Sequence, residues 1–203
     1  TPYPTLFPYT TLFRSGVSTG GGMLTVDADS NSDNTGSFIQ NDAGSSVSAG
    51  AGPISITAAD ATITGSISGT GSLTFLPSTA ARSIGLGGGA GSFNLSDGEL
   101  LQLSDGFTGI TIGRADGTGA IATDTADFRD SITLRGGTAT LAGLTTSQGN
   151  AAITVTTAAT TGVTVTGTLS ANGSGAVDIN SGGAFLLSDG VTLSSSTGSI
   201  SVD

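Results

Sequence analysis

The apolar residues of this chain come in bursts two positions apart, and that spacing constrains the fold more than any other feature. The bursts are Leu24/Val26, Ile54/Ile56, Leu73/Phe75, Ile84/Leu86, Phe93/Leu95, Ile110/Ile112, Ile132/Leu134, Ile153/Val155, Val163/Val165, Val177/Ile179, Val191/Leu193 and Ile200/Val202. A period of two puts one face of a strand inward and leaves the Ser, Thr and Ala between on the other face. Gly, Ser, Asn and Asp fill the gaps, which is the chemistry of turns. No stretch has a helical stripe of useful length. The nearest is Leu95 to Leu103, where Leu100 and Leu101 break the alternation and one short irregular excursion is expected. The chain reads as all-β.

Bursts recur roughly every ten residues, a pitch that suits either a sandwich or barrel or a stacked solenoid. Three features favour the solenoid. The inward bursts are two residues long, thinner than the strands of about five or six residues usual in a sandwich. Beyond Ser15 the only aromatic residues are phenylalanines, which leaves little bulk for a thick two-sheet core. Pro53 to Phe75 also lines up with Ala152 to Ile179, both running strand, small spacer, strand, Gly-Ser or Gly-Thr turn, strand. Coils of about twenty residues would give about nine coils and a rod of roughly 45 Å, with strands ~4.8 Å apart. Open strand edges at its ends would invite end-to-end association.

Composition narrows the chemistry. The 203 residues include no Cys, His, Lys or Trp. Disulfide scaffolds, zinc and haem sites, Ser-His-Asp and cysteine nucleophiles, the phosphate-loop lysine and Schiff bases are excluded. Five arginines against fifteen acidic residues give a net charge of −10, so nucleic acid is not an expected partner. No apolar run reaches the ~18 residues of a membrane-spanning helix. Charged residues make up only 10% of the chain and mean hydropathy is +0.23, the opposite of a solvated disordered segment.

Residues 1–15 stand apart. They hold both tyrosines and three of the five prolines. Thr5 to Ser15, TLFPYTTLFRS, resembles the in-frame translation of a short-read sequencing adapter, codon for codon. Residues 1–15 are therefore expected to be non-native, and residues 16–203 to be an incomplete β-solenoid repeat region from a longer chain.

A more specific resemblance lies between Ser72 and Ile121. Its pieces are Leu73 to Ser78 (LTFLPS), Arg82 to Gly91 (RSIGLGGGAG), Leu95 to Leu100 (LSDGEL) and Ile112 to Gly119 (IGRADGTG). Together they resemble a repeat of large bacterial exoproteins of the filamentous-haemagglutinin type. Met23 to Phe38 and Ser131 to Asp203 look like less specific coils of the same proteins. The resemblance implies a right-handed parallel β-helix, export to the medium or the outer cell surface, and an adhesive or stalk role. Expected partners are then neighbouring coils of the parent chain and surface glycans or proteins of a host or the environment.

Few residues offer site chemistry. Asp27, Asp29, Asn31 and Asp33 alternate in DADSNSDN, and oxygens so spaced can converge on Ca²⁺. The order resembles half of an EF-hand loop, but Ser32 replaces the turn glycine and Phe38 the terminal Glu. The alternative is an Asx-rich solvated turn. No other cofactor is expected. The run Gly85 to Gly91 lacks the lysine of a phosphate loop and reads as a tight corner or a close backbone approach. Arg114 can pair with Asp116 or Asp105. Asp97/Glu99, Asp124/Asp127/Asp130 and Asp178/Asp189 are the candidate carboxylate sets for glycosidase-type chemistry, yet each sits among Ser, Gly, Thr or Asp, without the apolar setting a general acid needs. Thr62/Thr64, Thr154/Thr156 and Thr164/Thr166 could form an ice-binding ladder, but they do not recur at one fixed coil length. The expected function is a non-enzymatic structural and adhesive segment. The alternatives are a fragment of a carbohydrate-active β-helix enzyme, or a compact glycan- or ice-binding module.

Overall fold

The computed structural model describes residues 10–203, which wind as a parallel β-helix. Twenty-four short strands fall on three faces, and every paired strand runs parallel to its neighbours. One face is an unbroken eight-stranded sheet of Leu24–Asp27, Ile54–Ala58, Ser72–Pro77, Gly109–Gly113, Ile132–Gly136, Ile153–Thr157, Val177–Asn180 and Ile200–Val202. Eight coils replace the expected nine. At ~4.8 Å per coil they span about 38 Å, against the roughly 45 Å expected.

Along this long sheet the register runs Leu24, Ile54, Leu73, Ile110, Ile132, Ile153, Val177, Ile200, so the coils are 30, 19, 37, 22, 21, 24 and 23 residues long. The bursts read from sequence supply the inward positions. Ile54, Ile56, Leu73, Phe75, Ile110, Ile112, Ile132 and Leu134 are all buried and stack into one continuous apolar column. The repeat is also real in space. Ile153 sits on the long sheet where Ile54 does, and Val177 closes its coil as Leu73 closes the other.

The second face holds Thr11–Phe13, Ser37–Gln40 and Asp60–Ile63, then a six-stranded sheet that begins at Phe93–Leu95 and Ile84–Leu86. Thr11–Phe13 belongs to the segment expected to lie outside the fold. It nonetheless pairs with Phe38 to Gln40, and the Phe13 and Phe38 rings lie 5.5 Å apart. An open strand edge accepts any segment with the right alternation, whatever its origin. The rest of the adapter-like stretch, residues 1–9, lies outside the described residues.

Counted from Thr11–Phe13, the fourth coil, which ends on Gly109–Gly113 and spans the 37-residue interval, is the irregular one. Phe93–Leu95 pairs in parallel with Ile84–Leu86 across a connection of only residues 87–92, where parallel strands ordinarily need a dozen or more. Glycine makes this possible. Gly87 and Gly88 take φ of +59° and +95°, and a Cβ on Gly91 would lie 2.0 Å from the Gly85 nitrogen. The glycine run is a tight crossover. After it comes the expected excursion, a helical turn Asp97–Leu100, which with a bridge from Leu103 to Ile67 fills the third face at this level.

In the last coil Ile200 and Val202 are 46% and 40% exposed, although their partners Val177 and Ile179 are fully buried. Phe75→Ala is therefore expected to cost about 3–5 kcal/mol in urea unfolding, and Ile200→Ala under ~1 kcal/mol. Equal losses would argue against a single continuous core.

Candidate functional site

Charge is scarce in this chain, so where each charge goes is informative. Five of the twenty charged side chains, Asp60, Arg82, Glu99, Arg129 and Asp130, bond to the backbone around the fourth coil. The inserted strand Phe93–Leu95 faces Asp60–Ile63 without a backbone ladder, and two carboxylates stand in for one. Asp60 accepts a hydrogen bond from the Asn94 N–H at 2.9 Å. Glu99 accepts from the Ile63 N–H at 3.1 Å and, through its other oxygen, from the Ser96 N–H and hydroxyl at 2.8 Å. Arg129 donates to the Leu101 and Leu103 carbonyls at the end of the helical turn. Arg82 ties the Asn34 side chain to the Ser92 carbonyl, joining the long loop of the second coil to the glycine crossover. Glu99→Ala is expected to lower stability by about 1–3 kcal/mol, because it leaves a backbone N–H without its acceptor. A urea midpoint unchanged from wild type would remove Glu99 from this role.

The four calcium candidates lie in the loop that lengthens the second coil, and all their carboxylates have internal partners. Asp29 is 1% exposed and accepts from the Asp33 and Asn34 N–H groups. Asp27 accepts from the Asp29 N–H. Asp33 accepts from Asn31 and from the Thr35 N–H and hydroxyl, which holds its carboxyl below the ordinary carboxylate range. These are the hydrogen bonds of an Asx-rich turn. Among the described residues no group of three metal-ligating side chains is placed to hold one ion.

The candidate carboxylate sets do not converge as sets. Glu99 is committed to its N–H partners, Asp127 accepts from the Thr145 hydroxyl, and Asp178 from Ser201 and Asn180. Asp124 and Asp189 are exposed. Asp130 is different. It is 8% exposed, accepts from the Gly106 and Phe107 N–H groups at 3.0–3.2 Å, and lines an open depression of about 260 Å³ with Asp105, Phe107, Arg129, Gln148 and Asn150. Burial pushes its pKa up, the two N–H donors oppose that shift, and the neighbouring Asp105 adds to it. Its neighbours in that depression, Asp105, Arg129, Ser131, Gln148 and Asn150, are polar, and Phe107 reaches it from the preceding coil through its N–H.

No known family model matches the chain, and searches of curated proteins and of solved structures find no match either.

Of the two pairings open to Arg114, the structure takes Asp116. Nε and one Nη donate to its two oxygens at 2.9 and 3.2 Å, which holds the Asp116 carboxyl low. Thr62, Thr154 and Thr164 lie on strands of three different sheets and form no common ladder. A different row does. Thr25, Ser55, Thr74, Thr111, Thr133 and Thr154 stand side by side on the outside of the long sheet, followed by Asp178 and Ser201. The row two residues on reads Asp27, Thr57 and Leu76 on the first coils and Gly113, Arg135, Thr156 and Asn180 on the later ones, so the long sheet carries a ladder one residue wide and not the flat double-threonine face of an ice binder.

Between the ordinary aspartate value of 3.8 and Asp130's raised one, the folded chain retains a proton that the unfolded chain has lost. Asp130 therefore favours folding less as pH rises through that window, and its contribution is greatest below 3.8. Asp33 and Asp116, held low, act the other way and at lower pH. Their contribution is present above 3.8 and is lost as pH falls through their depressed values. Thermal unfolding should thus show a downward contribution to stability as pH rises above 3.8 that Asp130→Asn removes. The same contribution in the variant would assign it elsewhere.

Proposed function

We propose that this chain is a non-enzymatic structural and adhesive segment of a large bacterial β-helical exoprotein, secreted or held on the outer cell surface. The observation that carries this reading is the unbroken register of the long sheet. Eight coils of unequal length keep one straight row of outward hydroxyls, Thr25 to Thr154, along a rod with a continuous core. A rod of this kind separates what lies at its two ends, and a row of hydroxyls offers weak, repeated hydrogen bonds to a hydroxylated polymer. The exoprotein-like motifs support the same reading. Their residues Arg82, Gly85 to Gly91 and Glu99 build the crossover and fasten the fourth coil, which is a structural use.

The test is to immobilise residues 16–203 on beads, measure retention on polysaccharide-coated surfaces, and assay the same polysaccharides for new reducing ends. Retention without cleavage is expected. An antibody to residues 16–203 should label the outside of intact cells of the source bacterium, or its culture medium.

One observation favours a second reading, a carbohydrate-active enzyme. Asp130, with its raised pKa beside a second acidic residue, Asp105, in an open depression, has one feature of a general-acid site. Its oxygens already accept from Gly106 and Phe107, which favours a structural role. Cleavage that disappears in Asp130→Asn, with the fold intact, would establish the enzyme and overturn the stalk.

A further inference from the structure

Three of the chain's five arginines meet at one corner of the helix, just beyond the C-terminal ends of the long-sheet strands. Arg82, Arg114 and Arg135 line a narrow crevice with Pro77, Thr79 and Gly119. It opens into a depression of about 310 Å³ bounded by Arg114, Ala115, Arg135, Thr156, Thr157 and Ala158. Register explains the convergence. Arg135 pairs with Gly113, the residue before Arg114, on one side and with Thr156 on the other, so the two guanidinium groups rise from adjacent coils ~4.8 Å apart. In a chain of net charge −10, this is a local inversion of sign.

The three arginines are not equally engaged. Arg82 is tied to Asn34 and Ser92 at the back of the crevice and contributes field more than contact. Arg114 holds the Asp116 carboxylate through two nitrogens. Arg135 is exposed and has no side-chain hydrogen bond or ion pair among the described residues. The corner therefore already displays, in Asp116, the group it is built to take, and has a second guanidinium fork beside it with nothing in it.

We propose that Arg114 and Arg135 form a binding site for the carboxylate groups of an acidic polysaccharide. Arg135 takes one uronate carboxylate, and Arg114 takes the next by exchanging Asp116 for it. The Thr156 side chain lies within the same depression, and the Thr111, Thr133 and Thr154 row runs beside it on the same sheet. A sugar chain held by its carboxylates can give its hydroxyls to these groups. An acidic peptide offers the carboxylates without those hydroxyls. The nearest acid along the same sheet, Asp178, lies two coils from Arg135 and is bonded to Ser201 and Asn180. The proposal deepens the adhesive reading by naming a ligand class, and rests on that reading for its setting.

The experiment is a titration of the full chain, residues 1–203, with tetragalacturonate near physiological salt, followed by amide shifts and calorimetry. Saturable shifts at residues 114, 135 and 156 are expected. Arg135→Gln should weaken binding about tenfold, the loss of one charge-assisted contact. Asp116→Asn should tighten it, because it removes the internal competitor. Arg14→Gln, a matched loss of charge on the first coil, should leave it unchanged. Absence of saturable binding overturns the proposal. So does equal weakening by Arg14→Gln, or equal affinity for the methyl-esterified tetramer, which lacks the charge. A tetraglutamate that binds as tightly would replace the sugar with an acidic peptide and overturn the assignment. Retention of the beads on neutral polysaccharides without uronate binding would discard this corner and keep the adhesive reading, so the two fail separately.

Discussion

The ladder of backbone hydrogen bonds along the eight-stranded sheet is the constraint on which everything else in this molecule depends. Each strand there is only three to six residues long, too short to persist alone, and the six between Leu24–Asp27 and Ile200–Val202 are held because both of their edges are paired by the coils above and below. The ladder fixes register, and register fixes which side chains point inward. A slip of one residue would turn Phe75 out and Thr74 in. Coil length is comparatively free. Doubling a loop costs only about 0.6 kcal/mol in closure entropy, so coils of 19 and 37 residues stack on one another as long as the strands between them stay in line.

The fourth coil shows what happens where that ladder is interrupted. An inserted strand, a six-residue crossover and a helical turn leave backbone N–H and C=O groups facing one another in the wrong geometry. Buried unpaired groups of that kind are costly. The chain meets the need with side chains. Asp60, Glu99 and Asp130 accept from the N–H groups of Asn94, Ile63, Gly106 and Phe107, while Arg129 and Arg82 donate to carbonyls. Bonds with one ionised partner are the stronger ones available, which accounts for five of the twenty charged side chains lying around one coil. It also separates the arginines by role. Two are consumed by the architecture, and the pair at Arg114 and Arg135 faces solvent beyond it.

The architecture was legible in the sequence because its signal is local. Eleven of the twelve apolar pairs two residues apart fall within strands, Val191/Leu193 being the exception because the strand there begins at Leu193, and the glycine run is a turn by composition alone. The number of coils was overestimated because two coils carry insertions that look, residue by residue, like further coils. The site features were less legible because they are made between coils. Asp130 sits in the polar string Arg-Asp-Ser, and only the fold brings the Gly106 and Phe107 N–H groups to it from the preceding coil. Arg114 and Arg135 are twenty-one positions apart, with nothing in the intervening sequence to connect them. The alternating acids at Asp27 to Asp33 were easy to see, and the same spacing that suggested a cation serves the internal N–H donors of a turn.

The threonine row carries the point further. The pairs Thr62/Thr64, Thr154/Thr156 and Thr164/Thr166 do not recur at one fixed coil length, and Thr62, Thr154 and Thr164 lie on three different sheets. The row that exists, Thr25 to Thr154, is separated by intervals of 30, 19, 37, 22 and 21 residues. Insertions at the corners shift every later residue in sequence and none of them in register. Selection on a binding row and selection on coil length can therefore act independently in this fold. A surface feature belongs to its place on a strand, counted from the inward pair, and that count can be read from sequence once the strands are known. Thr74, Thr111, Thr133 and Thr154 each lie between the two apolar residues of a burst, and Arg135 lies one past the second. A loop that grows by ten residues leaves all of those positions where they were.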